Sequence, residues 1–242
     1  MIRLRIGTFN IQHSKPRSAG ITARSAVATL GAELAALDLD YLAMQEVDAG
    51  RERSGNLDQP RLIADALQMS GRFCPTLPGY GLASFTRHPS ESWCGSPLPN
   101  QKQWRNVDMW LQAPEPRGWI GTRLFLADAA ELLLANTHLA VEPERAQLQL
   151  ASLTAELAQM AGPNRPVILL GDLNLLPAAV AEVAPQWVAL ATGDTTPMPH
   201  PRRQIDHILG WNLPADSTGN FGANVQELSV SDHAGLIAEI RL

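Results

Sequence analysis

Apolar runs of strand-like length recur from one end of the chain to the other, and six of them end or begin on an ionisable or amide side chain. Ile2, Leu4, Ile6 and Thr8 alternate with Arg3, Arg5 and Gly7, the period of a half-buried strand, and the run closes at Asn10. Tyr41-Leu42-Ala43-Met44 leads to Glu46, Leu132-Leu133-Leu134-Ala135 to His138, and Val167-Ile168-Leu169-Leu170 to Asp172 and Asn174. Asp206 and His207 interrupt the run Gln204–Leu209, and Asp232 and His233 precede a last alternating run that ends at Leu242. Counting by two puts Asn10 on the face of Ile2, Leu4 and Ile6, and Glu46 on the face of Leu42 and Met44. An ionisable group at a core-facing position is costly unless it is paired or metal-bound. A strand-end Asn or Asp is usually a turn former, and a lone His is usually structural. No single position decides the matter, but six together point to a site.

Helical periodicity separates these runs. Val27, Leu30, Leu34 and Leu37 fall on one helical face, and Pro60 opens a second helix over Pro60–Met69. A third opens at Pro143, carries Ala146, Leu150, Leu153, Leu157 and Met160 as a stripe, and stops at Gly162-Pro163. From Gly79 to Leu126 short strands alternate with Pro- and Gly-rich loops, and Ser90–Lys102 is the loosest stretch. Strands outnumber helices, which favours packed sheets with helices outside over a simple βαβαβ winding. No repeat, charge block or composition break divides the 242 residues, so 1–242 reads as a single domain.

Acidic residues outnumber basic ones by 24 to 19, for a net charge of −5. That is a poor footprint for gripping nucleic acid by its backbone, although a metal ion supplies charge that composition does not count. No apolar run approaches the roughly 18–20 residues of a membrane span. The N-terminus enters a strand with no signal-like apolar stretch, so a cytoplasmic location is expected. No feature points to a protein partner. Cys74 and Cys94 are too few for a disulfide framework and read as two unrelated thiols, with a pair left open. Nothing in the Cys and His spacing argues for zinc. His13, His88 and His200 read as loop residues.

The segments Gly7-Thr8-Phe9-Asn10, Gln45-Glu46, Asn136-Thr137-His138-Leu139, Gly171-Asp172-Leu173-Asn174, Ile205-Asp206-His207-Ile208 and Ser231-Asp232-His233 occur in that order over nearly the whole chain. In this ordered set the chain resembles the endonuclease/exonuclease/phosphatase superfamily. The resemblance implies an α/β fold, a four-layer α/β/β/α sandwich of two mixed sheets flanked by helices. It implies a Mg²⁺ ion, with Mn²⁺ as a possible substitute, held by Glu46 with Asn10 and Asp232. It further implies that Asp172 orients or deprotonates the attacking water and that Asn174 holds the phosphoryl oxygen. His233 would contact the phosphate, oriented by Asp206, and His138 would protonate the leaving oxygen or steady the phosphate. Arg87, in Ser84-Phe85-Thr86-Arg87-His88-Pro89, is a phosphate-facing candidate, with surface solvation an equal reading. Arg117-Gly118 and Arg145 with Gln147 resemble bacterial members, with surface solvation an equal reading. Gln12 departs from the apurinic/apyrimidinic endonucleases, which carry an acid there.

The leading expectation is a Mg²⁺-dependent phosphoesterase that hydrolyses a phosphodiester or phosphomonoester by direct attack of an activated water. The alternative is an endonuclease or exonuclease on DNA or RNA, and a third reading is a non-catalytic binding module. Substrate choice falls to the loops Ser54–Pro60, Ser90–Lys102 and Thr192–Arg203, with Trp93, Trp104 and Arg202-Arg203 as substrate-cradle or surface residues.

Overall fold

The computed structural model describes residues 2–99, 115–127, 130–214, 217 and 224–242. Its strands are β1 (Arg3–Asn10), β2 (Tyr41–Asp48), β3 (Ser70–Leu77), β4 (Tyr80–Thr86), β5 (Ser90–Cys94) and β6 (Trp119–Phe125). They continue with β7 (Glu131–His138), β8 (Val167–Asp172), β9 (Val188–Ala189), β10 (Asp206–Trp211), β11 (Asn224–Gln226) and β12 (Gly235–Arg241). The α-helices among the described residues are α1 (Ala23–Ala35), α2 (Gln59–Leu67), α3 (Pro143–Ala161) and α4 (Pro177–Val183).

The strands form two six-stranded sheets, ordered β11-β12-β1-β2-β4-β3 and β5-β6-β7-β8-β10-β9. Each has one parallel pair at its centre, β1 with β2 and β7 with β8. Parallel neighbours need a long crossover, and α1 and α3 supply it. Alternation along the strands then sorts the core into three layers. Leu42 and Met44 look outward and pack with Val27, Leu30 and Leu34 of α1 and Ile63 of α2. Tyr41 and Ala43 look inward with Leu4 and Ile6, against Leu132, Leu134, Ile168 and Leu170 of the second sheet. Beyond that sheet, Leu150, Leu153 and Leu157 of α3 and Val180 of α4 cover Leu133 and Leu169. The result is the expected four-layer α/β/β/α order.

Some local expectations differ from the structure. Met160 is exposed, because the step of four from Leu157 puts Ala161 in the buried place. The start of the supposedly loose Ser90–Lys102 stretch is β5, paired to β6 from Ser90 to Cys94. Lys102 and Trp104 lie outside the described residues. Trp93 packs edge-on against Trp119 at 6.3 Å between centroids and fills the space over Gly121, so it belongs to sheet packing.

Cys74 and Cys94 form a disulfide with Cα atoms 5.6 Å apart, which overturns the reading of two unrelated thiols. Cys74 sits on β3 and Cys94 on β5, the edge strands of different sheets. The stacking of the sheets brings them together, and sequence spacing carries no trace of that. Disulfides persist in oxidising compartments and are rare in the cytosol, which argues against the cytoplasmic expectation. No helix among the described residues is long and apolar enough to cross a membrane.

The bridge closes a loop with a sequence separation of 20, a size for which the stabilisation is about 3 kcal/mol. A Cys74→Ala/Cys94→Ala variant should lose that much in urea unfolding. Dithiothreitol should lower the wild-type midpoint and leave the variant's where it is.

Candidate active site

The ends of the two parallel pairs build the site. β1 ends at Asn10, β7 at His138 and β8 at Asp172, and Glu46 lies near the end of β2. The antiparallel neighbours begin there. Asp206 of β10 is the register partner of Asp172, as is His138 of β7. Leu236 of β12 pairs with Thr8, so Asp232 and His233, just before β12, arrive beside the end of β1.

Hydrogen bonds then join the two sheets. The Asn10 amide Nδ2 donates to Glu46 Oε1 and to Asp172 Oδ2, each at 3.0 Å. Asn10 Oδ1 accepts from the Gln12 backbone N–H. The Asn174 backbone N–H donates to Asp172 Oδ1 at 3.0 Å, and its side-chain amide to the Leu139 carbonyl. His138 Nε2 lies 3.4 Å and His233 Nε2 3.9 Å from Asp172 Oδ2. His233 Nδ1 is 2.8 Å from Asp206 Oδ2, which also accepts from the Thr195 hydroxyl. Ser231 donates to the Asn10 carbonyl and accepts from the His233 N–H. The Asp232 side chain is exposed, and its backbone carbonyl accepts from Met198 N–H and Thr196 Oγ1.

Glu46 reaches this cluster by a route that alternation does not anticipate. Its expected face, shared with Leu42 and Met44, is the outer one against α1 and α2. The β2–β4 register shifts between Met44 and Val47, and Glu46 adopts a left-handed φ of 55°. This bulge leaves Met44 and Val47 both in the outer core and turns Glu46 toward Asn10. Gly171 has a φ of 151°, and a Cβ there would lie 2.0 Å from the Thr137 carbonyl oxygen, so only glycine lets β8 run this close to β7 ahead of Asp172.

Burial raises the Glu46 carboxyl above its usual range against the opposing Asn10 hydrogen bond. Burial and then the neighbouring Asp206 charge push Asp172 up to about 7. Burial opposes the charged form of His233, but Asp206 outweighs it by charge and hydrogen bond and pushes His233 up to about 10. Burial, with the charges of Arg117 and His233, holds His138 well below 6.5 and therefore neutral. The two histidines thus differ in protonation across neutral pH. Among the described residues no basic side chain lies within ion-pair distance of Glu46, so a partly buried carboxylate faces one amide donor. A partly buried carboxylate without a basic partner suits a cation. Ligand atoms of Asp172, Asp206 and His233 also lie within 4.8 Å of one another, but the Asp206–His233 hydrogen bond occupies that group.

Three arginines near the motifs occupy different surroundings. Arg87 is far from the site, because β4 runs antiparallel to β2 and carries Thr86 opposite Tyr41, at the other end of the sandwich. There it pairs with Asp38 and Asp40. Arg117 is 7% exposed, which rejects surface solvation. It lines a narrow crevice with Glu46, Tyr80 and His138, bonds Glu115, and keeps a buried Nε without a partner. Arg145 is held by Glu142, with Nε and Nη1 buried and unpartnered. His207 points away from the site, to the Leu175 carbonyl.

The raised Asp172 carboxyl has a consequence for stability. A group whose folded pKa exceeds its unfolded value stabilises at low pH, and that contribution is lost as pH rises from about 4 through about 7. With divalent ions chelated, Asp172→Asn should therefore be more stable than wild type at pH 8, by on the order of 4 kcal/mol. The difference should shrink by pH 5 in denaturant titrations. An unchanged difference across that interval would contradict the burial of an ionised carboxylate here.

The profile described as the Endonuclease/Exonuclease/phosphatase family matches residues 7–233. No curated protein sequence matches the chain. Among solved structures, an endonuclease/exonuclease/phosphatase from Beutenbergia cavernae DSM 12333 is 21% identical, over 100% of this chain and 72% of that one, with a TM-score of 0.65. One from Bacteroides vulgatus is 15% identical over 100% of both chains, with a TM-score of 0.73. Truncated Caenorhabditis elegans TDP2 is 16% identical over 100% and 98%, with a TM-score of 0.68. At these identities the structures share the fold. The profile, spanning nearly every position that builds the site, shows that the chain belongs to the endonuclease/exonuclease/phosphatase family, whose members are typically hydrolases of phosphoester bonds and usually depend on a divalent metal.

Proposed function

We propose that this protein is a Mg²⁺-dependent phosphoesterase that cleaves a P–O bond by direct attack of water. The observation that carries the reading is the Asn10 amide, which spans Glu46 of one sheet and Asp172 of the other. Glu46, Asn10 and Asp232 would hold the ion, an all-oxygen set of the kind Mg²⁺ takes. When bound, it neutralises charge that develops on the phosphoryl oxygens.

The side chains divide the remaining work. Asp172 takes the proton of the attacking water, and its carboxyl, pushed up to about 7, suits a base at neutral pH. Asn10 and Asn174 each hold one of its oxygens, so its position is fixed before substrate arrives. His233, protonated and oriented by Asp206, is the proton source for the leaving oxygen. His138 is neutral and steadies the phosphate through an N–H. Arg117 adds its unpartnered Nε as a further donor to a phosphoryl oxygen.

The test is turnover of bis-p-nitrophenyl phosphate. EDTA should abolish it, and Mg²⁺ or Mn²⁺ should restore it. Glu46→Gln and His233→Ala should each lower kcat by roughly 10²–10⁴-fold with the circular dichroism spectrum unchanged. Full turnover in either folded variant, or in EDTA, would overturn the reading.

A further inference from the structure

The turn after Asn10 carries backbone strain that hydrolysis at the site does not use. Gln12, His13 and Ser14 have φ values of 44°, 49° and 57°. Non-glycine residues rarely take this region, because Cβ crowds the following carbonyl, and strain of this kind gathers at functional positions. The turn is heavily fixed. Ser14 N–H donates to the Ile11 carbonyl at 2.7 Å, Lys15 N–H to that of Gln12 at 3.0 Å, and Gln59 Nε2 to that of His13 at 2.8 Å. What it presents is a half-buried imidazole whose Nδ1 is buried without a partner.

Gln59 links this turn to a second group. Its Oε1 accepts from the Asp48 backbone N–H at 2.9 Å. Asp48, fully buried, accepts from Arg53 Nε at 2.8 Å and Nη2 at 2.7 Å. The guanidinium lies 5.0 Å over the Tyr80 ring, and Tyr80 lines the crevice that holds Glu46, Arg117 and His138. Arg53 is 44% exposed, with Nη1 unpartnered among the described residues. Through Gln59 the His13 carbonyl is tied to the Asp48 backbone, which sets the turn beside the Asp48–Arg53 pair. A guanidinium gripped on one edge and stacked on one face has lost its freedom and kept a donor edge. A phosphate oxygen meets such an edge at little entropic cost.

We propose that Arg53 and His13 form an anion subsite beside Glu46, which takes a second phosphate group of the substrate next to the one being hydrolysed. The proposal rests on the phosphoesterase reading of the main site for its first phosphate. Arg53 binds through its free edge, and the half-buried imidazole of His13 through the part of its ring that solvent reaches. The strained turn holds the imidazole there.

Calorimetry with Mg²⁺ present tests it with two probes, thymidine 5′-monophosphate and thymidine 3′,5′-bisphosphate. Wild type should bind the bisphosphate tighter by roughly tenfold. His13→Ala should bring that ratio close to one, and so should Arg53→Lys, which keeps a charge for Asp48 and so guards against unfolding. Equal binding of both probes by wild type would overturn the subsite, as would variants that melt earlier and keep the full ratio. The ratio is independent of turnover. A preserved preference in a protein that hydrolyses nothing supports the subsite and sinks the enzyme reading, and hydrolysis without the preference does the reverse. A short oligothymidylate that displaces the bisphosphate from wild type places the second phosphate in a nucleic acid strand. Failure to displace it places that phosphate in a small molecule.

Discussion

Two buried amides fasten the sheets to each other beneath the site. Gln45 Nε2 donates to Asn136 Oδ1 at 2.8 Å, and the Asn136 amide donates to the carbonyls of Met44 and Ala83 at 3.1 and 2.8 Å. Both side chains are 0% exposed, so any slide of one sheet on the other strands polar atoms away from water. Apolar contacts in the same layer tolerate many alignments, and these amides tolerate one. Glu46 follows Gln45 and His138 stands two places beyond Asn136, so the alignment that satisfies the amides also sets the two halves of the site against each other.

Around that anchored layer the backbone is unusually contorted. Gln12, His13, Ser14, Glu46, Asn174 and Ser231 all have positive φ, and each lies within a few residues of a group that faces the site. Buried carboxylates with raised pKa values add to the load. The apolar layers and the parallel pairs, regular throughout, supply the stability that this end of the sandwich forgoes.

Much of this was legible in the chain. The strand-end positions Asn10, His138, Asp172 and His233 depend only on where apolar runs stop, and those stops are local. The helices at Val27–Leu34 and Ala146–Leu157 were legible because their buried faces repeat at helical spacing. Glu46 was legible as a residue but not as an orientation, since a bulge is one unpaired residue that leaves no periodic signature. Edge strand β3 was missed because it shows little alternation and carries Pro75. Arg87 fell to its surface reading because a motif fixes neighbours in sequence, whereas strand direction decides which end of the sheet they reach. Arg117 was undecided because an arginine beside a strand looks the same in sequence whether buried or solvated. The Cys74–Cys94 pair depends on which strands stack, a property of the whole fold.

A site split between two sheets has a mode of failure that a site on one sheet lacks, which is shear. Half of the groups, from Asn10, Glu46 and His233, travel with one slab, and the rest, from His138, Asp172 and Asp206, with the other. The amides resist sliding in the interior, and the covalent tie between β3 and β5 resists it at one flank. With that tie open all of these side chains are kept and one restraint on sliding is lost, so the thiol and disulfide forms differ in how firmly the two halves of the site are held together.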